Sequence, residues 1–227
     1  MFRELTWDSN FFHKKVGELT LDNGHVETFP KVDLLYVKSK NETIPEIKGY
    51  HCRYAENKVV YTKELTDSGA RHEKIHSISK KPYQVEDLYQ LAYITGKFSR
   101  FNLDPNIPEA DFTRLYRTWI DKSISGENAT DLFIYVDQEE TAGFISYQQE
   151  KGYAMATLAG VSPAQQGKKI GKALFKHLEQ VVFDQGQREL RIPTQAVNQH
   201  ACTFYEKLGY TILESTSIKH YYRDDSL

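Results

Sequence analysis

The chain has 227 residues and a net charge of −2, from 29 Lys and Arg against 31 Asp and Glu, with no lysine-rich tract. That length can bury a core as one large domain or two small ones, and the charge balance argues against a nucleic-acid partner. No apolar run is long enough to cross a bilayer, and the opening Met1-Phe2-Arg3-Glu4-Leu5-Thr6-Trp7 lacks the apolar core of a secretory signal, so a cytoplasmic chain without membrane insertion is expected. The two cysteines, Cys52 and Cys202, are far apart and fit a reducing compartment better than a disulfide framework. His72 and His76 lack companions at zinc-like spacing, so no metal is expected.

In chain order, apolar alternation predicts strands at 16–21, 34–37 and 59–62, joined by turns such as Asp22-Asn23-Gly24 and Ile44-Pro45-Glu46. The polar stretch 67–81 reads as a linker or long surface loop. It divides the chain into a smaller α+β N-terminal domain with its linker, 1–80, and a second domain, 81–227. Beyond Lys80-Lys81-Pro82 the apolar spacing becomes helical, at 85–98 and 111–124. A hairpin follows, with strands at 132–136 and 143–148, and then a strand at 153–161. The order implies an α/β domain with a central mixed sheet flanked by helices on both faces.

The run Val161-Ser162-Pro163-Ala164-Gln165-Gln166-Gly167-Lys168-Lys169-Ile170-Gly171-Lys172-Ala173-Leu174 reads as the end of a strand, a glycine turn and an amphipathic helix. Such a turn suits a phosphate. Glycine lets the backbone approach an anion, and the unpaired amides of the first helical turn point at it with the helix dipole behind them. Lys168, Lys169 and Lys172 add positive charge, although a basic, exposed helix start would look the same. Downstream, 188–195 reads as a strand and 198–210 as a capped helix ending in glycine.

Together these segments resemble the GNAT acyltransferase family. Its pattern pairs a pyrophosphate loop, Arg/Gln-x-x-Gly-x-Gly/Ala, with a later Asn-x-x-Ala-x-x-x-Tyr-x-x-x-Gly-Phe/Tyr. The second motif is matched at Asn198, Ala201, Tyr205, Gly209 and Tyr210. In the first, Gly167 fits, while Ala164 replaces the leading Arg/Gln and Lys169 occupies the second Gly/Ala position. Leu5-Thr6-Trp7-Asp8-Ser9-Asn10-Phe11-Phe12, then Ser99-Arg100-Phe101 with Asp104 and Pro105, and Tyr116 with Trp119-Ile120 look like the dTDP-fucosamine N-acetyltransferase branch. That resemblance implies a GNAT fold behind a smaller N-terminal domain, a homodimer, and acetylation of the amine of a nucleotide-linked amino-deoxysugar destined for surface polysaccharide.

It also implies a site. Acetyl-CoA would be anchored by the amides of Gln166, Gly167, Lys168, Lys169, Ile170 and Gly171, with Lys172 beside them. Its pantetheine arm would pair with the strand carrying Leu158, Ala159 and Val161. Gly160 marks either a bulge where the sheet opens or a tight packing contact. Asn198 caps its helix and approaches the cofactor. Tyr205 donates a proton to the departing thiolate or, more plainly, packs as a helix tyrosine. No Asp, Glu or His lies in 153–161, so deprotonation of the amine falls to water, and His200 reads as a solvated surface residue. Ser99, Arg100 and Phe101 are the expected acceptor contacts, an arginine to grip a diphosphate and a ring to stack, or else a salt bridge and a core anchor. Two alternatives stay open: a GNAT acting on another amine, such as a polyamine, an aminoglycoside or a protein N-terminus, and a non-catalytic acyl-CoA-binding module.

Overall fold

Strands from both ends of the chain interleave in one ten-stranded mixed sheet in the computed structural model, which describes residues 1–21, 30–41, 43–67 and 69–224. In chain order the elements are β1 Phe2–Glu4, α1 Thr6–Phe12, β2 Val16–Leu21, β3 Leu34–Ser39, β4 Tyr50–Glu64 and β5 Ile75–Ser77. There follow α2 Val85–Thr95, α3 Arg100–Leu103, α4 Glu109–Ile124, β6 Asp131–Asp137, β7 Glu140–Gln149 and β8 Ala154–Val161. The chain closes with α5 Ile170–Asp184, β9 Glu189–Gln195, α6 Gln199–Lys207 and β10 Thr211–Arg223. The strand order is β1-β2-β3-β10-β4-β9-β8-β7-β6-β5.

The last strand sits between two early ones: β10 pairs β3 through Ile218↔Lys38 and β4 through Ile218↔Glu56. Residues 1–80 and 81–227 therefore share a single sheet. The stretch 67–81 that reads as linker contains β5, a three-residue edge strand on β6, too short for apolar periodicity to reveal. The strand expected at 59–62 runs from Tyr50, because 50–58 alternates with polar side chains and so lacks the apolar signal. The predicted turn at Asp22-Asn23-Gly24 lies outside the described residues.

Helices cover both faces. On one, Leu174, Leu178 and Val182 of α5 pack on Phe133, Ile145 and Ile192. On the other, Leu88, Leu91 and Ala92 of α2 and Phe112, Leu115 and Ile120 of α4 pack on Leu132, Ile134 and Phe144. Neighbouring residues of β6 and β7 face opposite helices, so these strands are apolar on both sides.

Two features open the sheet. β8 and β9 pair in parallel only at Ala154↔Leu190 and Met155↔Arg191 and then part. Pro193, without an N–H to donate, lies in the part of β9 that has lost its β8 partner, where a proline costs no ladder bond on that edge. In β8 the register on β7 shifts between Ser146↔Leu158 and Tyr147↔Ala156, so the bulged residue is Thr157. Gly160 has the packing role instead. A Cβ there would lie 2.5 Å from Thr95 Oγ1 and 3.1 Å from Leu91 O, because α2 presses directly on β8. The Thr95 hydroxyl bridges the two elements, 3.0 Å from both Leu91 O and Ala159 O.

Candidate active site

Where β8 and β9 part, a cleft of two joined lobes passes through the sheet. One lobe, of about 510 Å³, lies between β8 and the starts of α5 and α6; the other, of about 740 Å³, opens over the β3, β4 and β10 side. Ala159, Gly160, Val161, Gln166 and Tyr205 line both, so the two lobes meet beneath the Tyr205 side chain. From residue 156 onward the β9-facing main chain of β8 has no strand partner, which leaves an edge that an extended amide-bearing arm can pair with.

The smaller lobe is made of main chain. Its turn is set by Gly167 at φ +80° and by Lys169 at φ +64° just before α5. A lysine there sits in the left-handed region that glycine adopts freely, which is the strain introduced by the departure at position 169. Gln165 and Gln166 donate their amides to Ser162 O and Pro163 O at 2.9 and 3.3 Å. The first intrahelical bond of α5 runs from the Ala173 amide to Lys169 O at 3.0 Å, so the amides of Ile170, Gly171 and Lys172 have no intrahelical acceptor. Gly167, Lys169, Ile170, Gly171 and Lys172 all line this lobe. A Cβ on Gly171 would come within 3.3 Å of the Phe204 ring, which is how closely α5 and α6 approach across it. Lys168 is not in the wall; its ammonium donates to Gln165 Oε1 at 2.6 Å.

Tyr205 stands on α6, its ring 5.5 Å from that of Phe175 and 5.6 Å from that of Tyr61. Burial raises its hydroxyl well above the usual phenol range, so it stays protonated. The hydroxyl makes no hydrogen bond among the described residues while its side chain lines the cleft, which leaves a donor available there. Asn198 caps α6 by accepting from the Ala201 amide at 3.2 Å, and it lines the larger lobe. Both lobes also reach His200, which is exposed. Leu158, Ala159 and Val161 line the larger lobe, so all the expected cofactor residues other than Lys168 converge on the cleft.

In the larger lobe the three expected acceptor residues divide by role. Ser99 is buried and caps α3, accepting from the Phe101 amide at 3.1 Å. Phe101 is a core ring, stacked on Phe12 at 6.0 Å and edge-on to Trp119 at 5.8 Å. Arg100 alone of the three presents charge. The cleft also gathers Lys38 from β3, Glu56 and Lys58 from β4 and Lys97 from the turn before α3. None of these four was singled out in the sequence; the signal that could have found Glu56 and Lys58 is the polar alternation Tyr54, Glu56, Lys58 along one face of β4. Glu56 accepts from the Tyr54 hydroxyl at 3.2 Å, and burial, opposed by Arg100, pushes its carboxyl up from the usual range.

A profile of the Acetyltransferase (GNAT) family matches residues 85–210. The spore coat polysaccharide biosynthesis protein SpsD of Bacillus subtilis (strain 168) is 24% identical over 135 residues, which is 60% of this chain and 46% of that relative. The match thus spans about half the length of that curated relative. Among solved structures, a GNAT-family chain from Novosphingobium aromaticivorans superposes with a TM-score of 0.59 at 12% identity, over 85% of this chain and 75% of that one. A conserved protein of unknown function from Staphylococcus epidermidis gives 0.61 at 13% identity, over 84% and 73%. A GCN5-related N-acetyltransferase from Sphaerobacter thermophilus gives 0.51 at 14%, over 82% and 59%. At these identities the structures establish a shared fold.

Proposed function

The chain belongs to the acetyltransferase (GNAT) family, whose acyl donor is acetyl-CoA, and from that premise we propose that it acetylates the amine of a nucleotide-linked amino-deoxysugar. The observation that carries this reading is the charge of the larger lobe: among the described residues Lys38, Lys58, Lys97 and Arg100 line it with one carboxylate, Glu56, while Lys38 is also paired with Glu18 outside the wall. A polyamine or an aminoglycoside, itself polycationic, would meet like charge there, whereas an acceptor bearing phosphates meets complementary charge. The name of the Bacillus subtilis relative, with its reference to polysaccharide biosynthesis, points the same way.

Bound acetyl-CoA supplies the acetyl group as an activated thioester. The first-turn amides of Ile170, Gly171 and Lys172, with the Lys169 and Lys172 ammonium groups, form a cradle suited to its pyrophosphate. The open edge of β8 supplies main-chain partners for its extended arm. Tyr205, neutral because it is buried, donates its phenolic proton to the sulfur as negative charge develops during attack by the amine. β8 carries no Asp, Glu or His, so the acceptor ammonium gives its proton to water before the freed amine attacks, a small demand for a sugar amine near neutral pH. A module that only binds acyl-CoA has no need of an unpaired phenol where the lobes meet.

A thiol-release assay with acetyl-CoA tests the reading. The panel contains dTDP-amino-sugars with the amine at C3 or C4, the same sugars without nucleotide, spermidine and an aminoglycoside. Turnover is expected with a nucleotide-linked amine. Turnover restricted to a cationic acceptor would overturn the assignment, and tight CoA binding with no turnover on any amine would favour the binding module.

A further inference from the structure

The floor of the larger lobe is one face of the sheet, and strand register fixes which side chains share it. Lys38 of β3, Ile218 of β10 and Glu56 of β4 form one cross-strand row, and Tyr36, His220 and Tyr54 form the row beside it. Lys58 stands opposite Thr216 of β10 and Gln195 of β9. Arg100, from α3, lies over this floor with its guanidinium 4.1 Å from the Tyr36 ring centre and 4.6 Å from that of Phe101. Rings hold the group by its faces, which leaves the donors on its edge. One of those donors meets His220 Nε2 at 3.4 Å, and the guanidinium makes no other hydrogen bond among the described residues.

The acceptor nitrogen that meets Arg100 is held from behind. His220 is wholly buried and gives its Nδ1 proton to Asp104 Oδ2 at 2.6 Å, which leaves the Nε2 lone pair for Arg100. Asp104 also accepts from the Tyr222 hydroxyl at 2.6 Å and from the amide and side-chain nitrogens of Asn106, both at 2.9 Å. A carboxylate with four donors is fixed in place, and with it the imidazole and the guanidinium.

Lys58 has no ion-pair partner among the described residues, and burial, then the nearby Lys38 and Arg100 cations, lowers its pKa. Lys38 shares Glu18 with Arg3. Asp8 of α1 borders Arg100, and Glu214 of β10 faces Lys58. Lys58 is three residues along β4 from Tyr61, whose ring contacts Tyr205, a separation of about 10 Å along the strand with the two side chains on opposite faces of the sheet.

We infer that Arg100, Lys58 and Lys38 form a subsite for a nucleoside diphosphate, and that Asp104 and His220 are positioning residues that turn the Arg100 edge toward it. The inference rests on the proposed acceptor, because it assigns the phosphates of that acceptor a place.

The test titrates thymidine diphosphate, and separately inorganic pyrophosphate, into protein saturated with CoA, so that the cofactor-side lobe is already filled. Binding is expected, and Arg100→Gln and Lys58→Gln should each weaken it about tenfold or more, while Lys58→Arg, which keeps the charge, retains it. His220→Gln should raise the acceptor KM about threefold or more, with kcat and the acetyl-CoA KM nearly unchanged, a split that general loss of structure does not produce. Circular-dichroism melts identify which variants are folded. If CoA-loaded protein binds neither probe, or if folded Arg100→Gln and Lys58→Gln bind as the parent does, the subsite is wrong even where nucleotide-sugars turn over. Charge-dependent probe binding in a protein that acetylates only non-nucleotide amines would uphold the subsite and sink the proposed acceptor.

Discussion

The two lobes of the cleft are built on opposite plans. The cofactor-side lobe comes from two stretches of chain, 159–175 and 200–205, and its donors are largely main chain. The acceptor-side lobe draws its charged side chains from β3, β4, α3 and the turn before α3, with support from His220 on β10. Recognition by main chain is tied to local backbone shape, so it leaves fixed spacing in the sequence. Recognition by side chains across a sheet needs only that register bring them together, so Lys38 and Lys58 can lie far from Arg100 in sequence and still share a floor with it.

The sharpest test of that contrast is applied where the lobes meet. Tyr205→Phe removes one hydroxyl and leaves the ring packing against Phe175 and Tyr61. If the phenol protonates the departing sulfur, kcat falls by ~10²-fold or more, while acetyl-CoA affinity, which rests on the amides and the β8 edge, changes little. Steady-state kinetics beside CoA titration separates the two effects. Full turnover in the variant would move the proton donor elsewhere.

Each side of the sheet also buries a histidine, and the pair sharpens the comparison through pH. His177 on α5 is held down to about 4 by burial and by nearby Arg71, His72 and His76, with its Nδ1 accepting the His72 amide at 3.2 Å. His220 is also held down to about 4, by burial opposed by its bond to Asp104. A folded-state pKa below the unfolded value of about 6.5 means that the unfolded chain takes up the proton first, so stability is complete above that value and is lost as pH falls toward 4. Between about pH 7.5 and about pH 5 each histidine should remove about 2 kcal/mol. Asp104 does not contribute in that window: burial alone would raise it, but the bonds from His220, Tyr222 and Asn106 hold it at about 2, and its share is lost only at lower pH. Denaturant melts at the two pH values should show His177→Gln and His220→Gln each flattening the pH dependence by a similar amount. Only the His220 change should also alter the acceptor KM.

How much could be read from sequence follows from the same contrast. Helical spacing beyond residue 82, the strand, turn and helix around Gly167, and the cap at Asn198 are local signals, and the elements formed where they pointed. The Gly160 position kept two readings until the fold supplied α2 and the Thr95 hydroxyl above it. The early half of β4 was hidden because its inward face carries Tyr54, Glu56 and Lys58, residues suited to a polar cleft and contrary to the apolar alternation that announces a strand. The pairing of β10 with both β3 and β4 could not be read locally at all, since nothing in either segment names its partner.

The smallest expected effect separates a cap from a contact. Asn198→Ala removes the side-chain oxygen that accepts the Ala201 amide at 3.2 Å and frays the start of the helix that carries Tyr205. Loss of such a cap costs ~1 kcal/mol, which in a chain of 227 residues lowers Tm by about 2–4 °C. Asn198→Ser offers a hydroxyl in the same place and should recover most of that loss. If Asn198 only caps, the serine variant also recovers the acetyl-CoA KM. If it reaches into the cleft it lines, as the resemblance implies, the melting temperature returns and the KM does not, because serine is too short to do both.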